Sequence, residues 1–185
     1  MTRVLARAVI LALTFSVAAG IGCSRDAQHF VAVRADHTVS KPSAYPLAMD
    51  SEKVGMYAPD SKSGAGYFYD DVLEYRVWLH PERGAEQLNS NDDYYVAFAQ
   101  YEKAEEFSKS KKGAEEPVVL VRQFEWIDEP KPGHYVAEKG DRITEWQVKW
   151  LEGTKRTPSS ISEFMKHPKP AGGPNQTLTK KSKQA

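Results

Sequence analysis

PVVLVRQFEWIDEP, residues Pro117–Pro130, decides the fold. It opens on four consecutive aliphatics, Val118–Val121, passes through Phe124, Trp126 and Ile127, and closes on Asp128 and Glu129 before Pro130. Half-exposed strands alternate apolar with polar residues, whereas strands covered on both faces read as unbroken Val/Ile/Leu runs. The run therefore predicts a strand in the interior of a sheet, with its aromatic half leading toward an edge.

The neighbouring segments supply its partners. In VLEYRVWLH (Val72–His80), Leu73, Tyr75, Val77 and Leu79 fall on one face at period two, with Glu74 and Arg76 on the other. That alternation predicts a half-exposed strand. DYYVAFA (Asp93–Ala99) predicts a second strand after a polar loop. Tyr101, Ala104, Phe107 and Ser108 then recur at helical spacing, with Lys109, Lys111 and Lys112 in the last turn and Gly113 at its end. Beyond the central strand, Glu129–Gly133 reads as a turn and His134–Leu151 as a hairpin turning at Lys139-Gly140-Asp141, with Thr144, Trp146, Val148 and Trp150 on one face of its second arm. Ser160-x-x-Glu163 has the spacing of a capping box for a short last helix. The predicted class is α+β: a mostly antiparallel sheet of about five strands, one main helix on one face and a short C-terminal helix, in a domain spanning 70–165.

The ends of the chain read differently. Residues 1–22 carry Arg3 and Arg7, an apolar stretch from Ala8 to Ala19, and small residues, the layout of a secretory signal. The stretch is shorter than the ~20 apolar residues a membrane-spanning helix needs. Cys23, the chain's only cysteine, follows directly, so no intramolecular disulfide can form. The Ala19–Cys23 segment resembles a bacterial lipoprotein signal, with Gly20 where that class usually has Leu. The resemblance implies lipidation at Cys23 and, with Ser24 next, an outer-membrane anchor facing the periplasm. A plain secretory signal, leaving a soluble periplasmic or secreted protein, is the alternative. Residues 23–69 are punctuated by Pro, Gly, Ser and Asp and read as a flexible tether, with His29–Arg34 a short strand. Residues 166–185 read as a disordered basic tail.

Charge narrows the partners. Setting aside Arg3, Arg7 and the five lysines from Lys166 onward leaves 18 basic residues against all 25 acidic ones, a net of −7. A body of that sign repels phosphate backbones, which argues against a nucleic-acid partner. A small molecule, a glycan or a protein remains open, besides the membrane reached through the lipid.

Chemistry has little to work with. No G-x-S-x-G, H-x-x-x-H, H-E-x-x-H or cysteine pair occurs, so neither a nucleophilic triad nor a metal site is expected. His80, His134 and His167 adjoin Pro or Gly and read as solvated turn residues. Acids are the richest material, and Glu125 and Glu145 stand out because each is flanked by aromatics. With Tyr135 they form the expected ligand-binding set, the carboxylates facing a groove while Trp126 and Trp146 pack inward. No catalytic residue and no cofactor is expected from these residues.

VLEYRVWLHP, DDYYVAFAQYEKAEEFSK, GAEEPVVLVRQFEWIDEP and RITEWQVKWLEG resemble a small, mostly uncharacterised bacterial family that often carries a GNAT-type acetyltransferase label. The resemblance spans about Asp70–Phe164 and implies an α+β fold with acetyl-CoA as cofactor. Its enzymes hold the cofactor's pyrophosphate on an Arg/Gln-x-x-Gly-x-Gly/Ala loop at a helix N-terminus. Here the nearest glycine pair is Gly64 and Gly66, with Ser61 in the Arg/Gln position, so no cofactor-binding residue carries over. A non-enzymatic binding module is the leading expectation and an acetyltransferase-like enzyme the alternative.

Overall fold

A computed structural model describes residues 31–32, 42–58, 62–63, 66–88 and 91–168; the signal segment, Cys23 and the basic tail after 168 lie outside them. The described chain is α+β. Four long strands, β3 (Asp71–Leu79), β4 (Tyr94–Phe98), β5 (Val118–Lys131) and β6 (His134–Gln147), pair antiparallel. Two-residue strands close the edges in parallel, β1 (Val31–Ala32) on β4 and β2 (Lys62–Ser63) on β6, giving the order β1-β4-β3-β5-β6-β2. β1 lies within the expected His29–Arg34 strand, whose other residues fall outside the described part. β3 and β5 are the inner pair, and Val119, Leu120 and Val121 are fully buried, as an unbroken aliphatic run requires.

The fifth expected strand is absent because the expected turn at Lys139-Gly140-Asp141 is a bulge inside one continuous strand. Gln123 pairs with Arg142 but Glu125 with Lys139, so β6 carries an extra residue where Gly140 stands. The chain reverses earlier, at Pro132-Gly133 between the paired Lys131 and His134. Gly133 has φ 76°, and Pro followed by a left-handed Gly is what a type II turn demands. The second arm also ends sooner than expected: Val148–Leu151 is a 3₁₀ turn that still delivers Val148, Trp150 and Leu151 to the core.

A second bulge corrects the facing of β3. Val72 pairs with Val121 and Glu74 with Leu120, which leaves Leu73 as the inserted residue. Val72 therefore joins Tyr75, Val77 and Leu79 in the main core, with Val96, Phe98, Val119, Val121 and Trp146. The helix α1 (Tyr101–Ser110) covers that face, burying Ala104 and bringing Tyr101 and Phe107 against the cluster. The short helix α2 (Ser160–Lys166) forms as expected but without the capping box. Ser159 is its N-cap, and the Ser160 hydroxyl instead accepts the Thr157 backbone N–H. No helix among the described residues is long and apolar enough to cross a membrane.

The opposite face of the sheet is covered by residues 48–58, which the sequence reads as tether, while Ser43–Pro46 lie on the α1 side against Glu102, Tyr101 and Tyr75. Ala48 N–H donates to Ala99 O at 2.9 Å and Met49 N–H to Val72 O at 2.8 Å. Val54 is buried against Tyr95, Ala97 and Ala99. Nor does the folded body begin at Asp70: Tyr67 and Tyr69 are buried, and Tyr67 bridges to Ile127. The strap exists because β3 and β4 present a face that has to be covered.

Candidate functional site

That strapped face holds the densest buried charge among the described residues. Glu74 and Arg76 are fully buried, not solvated as their alternation suggests. Arg76 Nε donates to Glu74 Oε1 at 2.6 Å, and its Nη1 lies 3.6 Å from Glu145 Oε2. The guanidinium also donates to the carbonyls of Ala58 at 3.0 Å and Tyr57 at 3.4 Å, and lies 4.2 Å over the Tyr95 ring. Glu74 accepts the Gly55 N–H at 2.6 Å, and Glu145 accepts the Trp78 indole N–H at 3.2 Å. Burial raises the Glu145 pKa, an effect that Arg76 and Trp78 oppose. Burial pushes Tyr95 up to about 12, and its hydroxyl donates to Tyr57 O. Every carboxylate here is met by a fixed donor, which is the arrangement of a structural ion cluster.

The three expected ligand-binding residues do not converge. Glu145 pairs in register with Leu120 and Glu125 with Lys139, five β5 residues further on, roughly 16 Å along the strand. Glu125 is half-buried in a rim network, bonded to Lys139 and to Arg156 Nη1 at 3.1 Å, and Lys139 holds its pKa below the ordinary value. Arg156 also grips Asp70 at 2.6 Å. Tyr135 stacks edge-on with Phe164 of α2, centroids 5.0 Å apart, and with Tyr67 at 6.1 Å. Beside it the Tyr67 hydroxyl donates to Glu129 Oε2 at 2.7 Å; the Gly133 N–H and this hydroxyl lower the Glu129 pKa. Trp146 and Trp126 are buried, and the Arg142 guanidinium lies 3.9 Å over the Trp126 ring. Glu125 and Tyr135 thus share the long β5–β6 ribbon, while Glu145 belongs to the strapped face.

One constellation escapes sequence reasoning altogether. His80 is buried, not a solvated turn residue, while His134 and His167 are exposed as expected. Its Nδ1 lies 2.9 Å from Asp93 Oδ1 and 3.9 Å from Glu82 Oε1, and its Nε2 lies 3.0 Å from Glu115 Oε1. Neither ring nitrogen makes an in-line hydrogen bond, close as these oxygens are. Register brings the group together, since Leu79 pairs with Tyr94 and so sets His80 opposite Asp93 across the strand ends. Glu82 follows in the 3₁₀ turn Pro81–Arg83. His80, Glu82 and Asp93 offer one ligand atom each within 4.8 Å of one another. The one available signal was that two strands flank a loop running from His80 to Asp93.

No protein-family model, curated protein or solved structure matches this chain.

Proposed function

We propose that this is an exported, lipid-tethered envelope protein whose folded body is a binding module and not an enzyme. The observation that carries it is the run from Arg3 through the apolar stretch Ala8–Ala19 to the lone Cys23. The net negative charge of the body fits a partner other than nucleic acid, and the pairing of Glu74 and Glu145 with Arg76 supports a structural role for those acids. The surface offered to a small molecule, glycan or protein is the β5–β6 ribbon, where Glu125 and Tyr135 are the partly accessible candidates.

Fractionation of a Cys23→Ala variant tests the tether. The wild-type chain is expected in the membrane fraction and the variant in the soluble periplasmic fraction; unchanged membrane association of the variant rules the lipid anchor out.

A further inference from the structure

We infer that His80, Glu82 and Asp93 form a binding site for a divalent first-row transition metal of the zinc class, with Glu115 as the carboxylate that orients the histidine. This goes beyond the tethered binding module and does not depend on it.

The geometry suits ligands converging on an ion: the contacts of His80 with Asp93 and Glu115 are as close as ion pairs but out of line for hydrogen bonds. The His80 side chain is nine-tenths buried, yet neither ring nitrogen is hydrogen-bonded. A buried imidazole that faces carboxylates without an aligned hydrogen bond recovers only part of the hydration it gives up. Its Nδ1 nevertheless lies 2.9 Å from Asp93 Oδ1, off the line a hydrogen bond needs. Two donors each about 2.1 Å from one metal ion, at about 90–110°, stand about 3.0–3.4 Å apart with their lone pairs aimed at the ion and not at each other. A short, misaligned N···O contact is what such a pair leaves. Glu82, 3.9 Å from the same nitrogen and half exposed, has the freedom to close the third position.

The other side of the ring fits the same reading. Metal-binding histidines almost always direct their second nitrogen to a carboxylate or carbonyl, which fixes the ring and raises its basicity. Here Glu115 Oε1 is 3.0 Å from Nε2, out of line for a hydrogen bond as the ring stands but near enough to accept one after a small ring rotation, and Glu115 is itself held by Arg83 Nη1 at 3.0 Å. The backbone is anchored too: His80 N–H donates to Gly113 O, and His80 O accepts from Arg83 and Ala85. One nitrogen and two carboxylate oxygens suit zinc and its first-row neighbours better than calcium or magnesium, which prefer all-oxygen shells. Three protein ligands leave a fourth position for water or an exogenous donor.

The test is calorimetric titration of the full chain with zinc chloride, in a Cys23→Ala background that removes the only thiol. One equivalent is expected to bind with a micromolar or tighter Kd and to raise the Tm. Asp93→Asn and Glu82→Gln change accessible carboxylates and should leave the apo fold intact, so each reads the site without the unfolding that His80→Gln invites. Each should weaken zinc binding at least about 10-fold, and Glu115→Gln about 10- to 100-fold, the range for a residue that orients a ligand. Failure of the parent to take up one equivalent at about 100 µM zinc overturns the inference, as does uptake that Asp93→Asn and Glu82→Gln leave unchanged.

Discussion

On one face of the sheet Tyr75, Val77, Val119, Val121 and Trp146 belong to the core that α1 helps to close; on the other Glu74 and Arg76 lie under the strap at 48–58, and all seven are at 0 or 1% exposure. The α1 face is closed by apolar packing, which is non-directional and depends on area and fit. The strapped face is closed by an ion cluster that depends on direction, its donors and acceptors reaching the backbone of Gly55, Tyr57 and Ala58. The comparison teaches that equal dryness can rest on unequal physics. Apolar packing supplies stability on one side. Paired charges on the other dictate which backbone groups of the strap dock there.

The largest expected effects are single truncations that open either face. Trp146→Ala should cost about 3–5 kcal/mol in urea unfolding through the cavity it leaves. Arg76→Ala should cost about as much, because two acids lose their shared cation. What separates the faces is repair. The neutral triple variant Glu74→Gln, Arg76→Met, Glu145→Gln should return to within about 2 kcal/mol of wild type, since apolar or neutral replacement of a buried ion cluster is often tolerated. A triple variant as unstable as Arg76→Ala would break the distinction.

A smaller effect sharpens it. Tyr95→Phe removes only the hydroxyl that donates to Tyr57 O, and should cost about 1 kcal/mol. Hydrogen exchange should then speed at strap amides while those of β5 keep their protection; uniform acceleration would show that strap and sheet open together.

The smallest effect is a pH signature confined to the strapped face. Burial raises the folded-state pKa of Glu145 above its ordinary value of 4.5. The folded state therefore favours the protonated acid. The resulting stability is fully present below 4.5 and is lost as pH rises through the raised value. Glu145→Gln cannot ionise, so the wild-type-minus-variant difference in Tm should fall from pH 4.5 toward neutrality, while the variant's stability at pH 7 stays within about 1 kcal/mol of wild type. Trp146→Ala, on the apolar face, should lower Tm by the same amount across that range. A pH-independent Glu145→Gln difference would count against burial of its carboxyl.

Much of the fold was legible because periodicity and burial agree there. β4, α1 and β5 follow the apolar patterns of their segments, and β3 does so from Tyr75 onward; of the lysines expected in the last turn of α1 only Lys109 lies there, since the helix ends at Ser110 and Lys111, Lys112 and Gly113 follow it. Two kinds of residue misled. Glu74 and Arg76 alternate with aliphatics just as a solvated strand face does, because the pattern records polarity and not water. Gly140 between Lys139 and Asp141 carries the composition of a turn, but glycine within a strand also marks a bulge, and the stronger Pro132-Gly133 turn eight residues earlier had already reversed the chain. The site was less legible than the fold. Glu125 and Tyr135 were found on the ribbon, but Glu145 was assigned to their surface because adjacent aromatics do not reveal which backbone will pass overhead. His80 was missed because its partners come from the far end of a loop and from the turn before β5.

The strap also has a mechanical meaning. It lies in sequence between β1 and β3, so a pull entering from the N-terminal side loads the β1–β4 pairing and the Ser43 and Ala44 bonds to Glu102 first, then Ala48 to Ala99, Met49 to Val72 and Gly55 to Glu74, and only afterwards the ladder between β3 and β5. Peeling would proceed bond by bond, first lifting Tyr45 from Tyr101 on the α1 side and bringing water to Glu74 and Arg76 only once Gly55 lets go. Tension from that side would reach the ion cluster last of the strap's contacts, as its hydration.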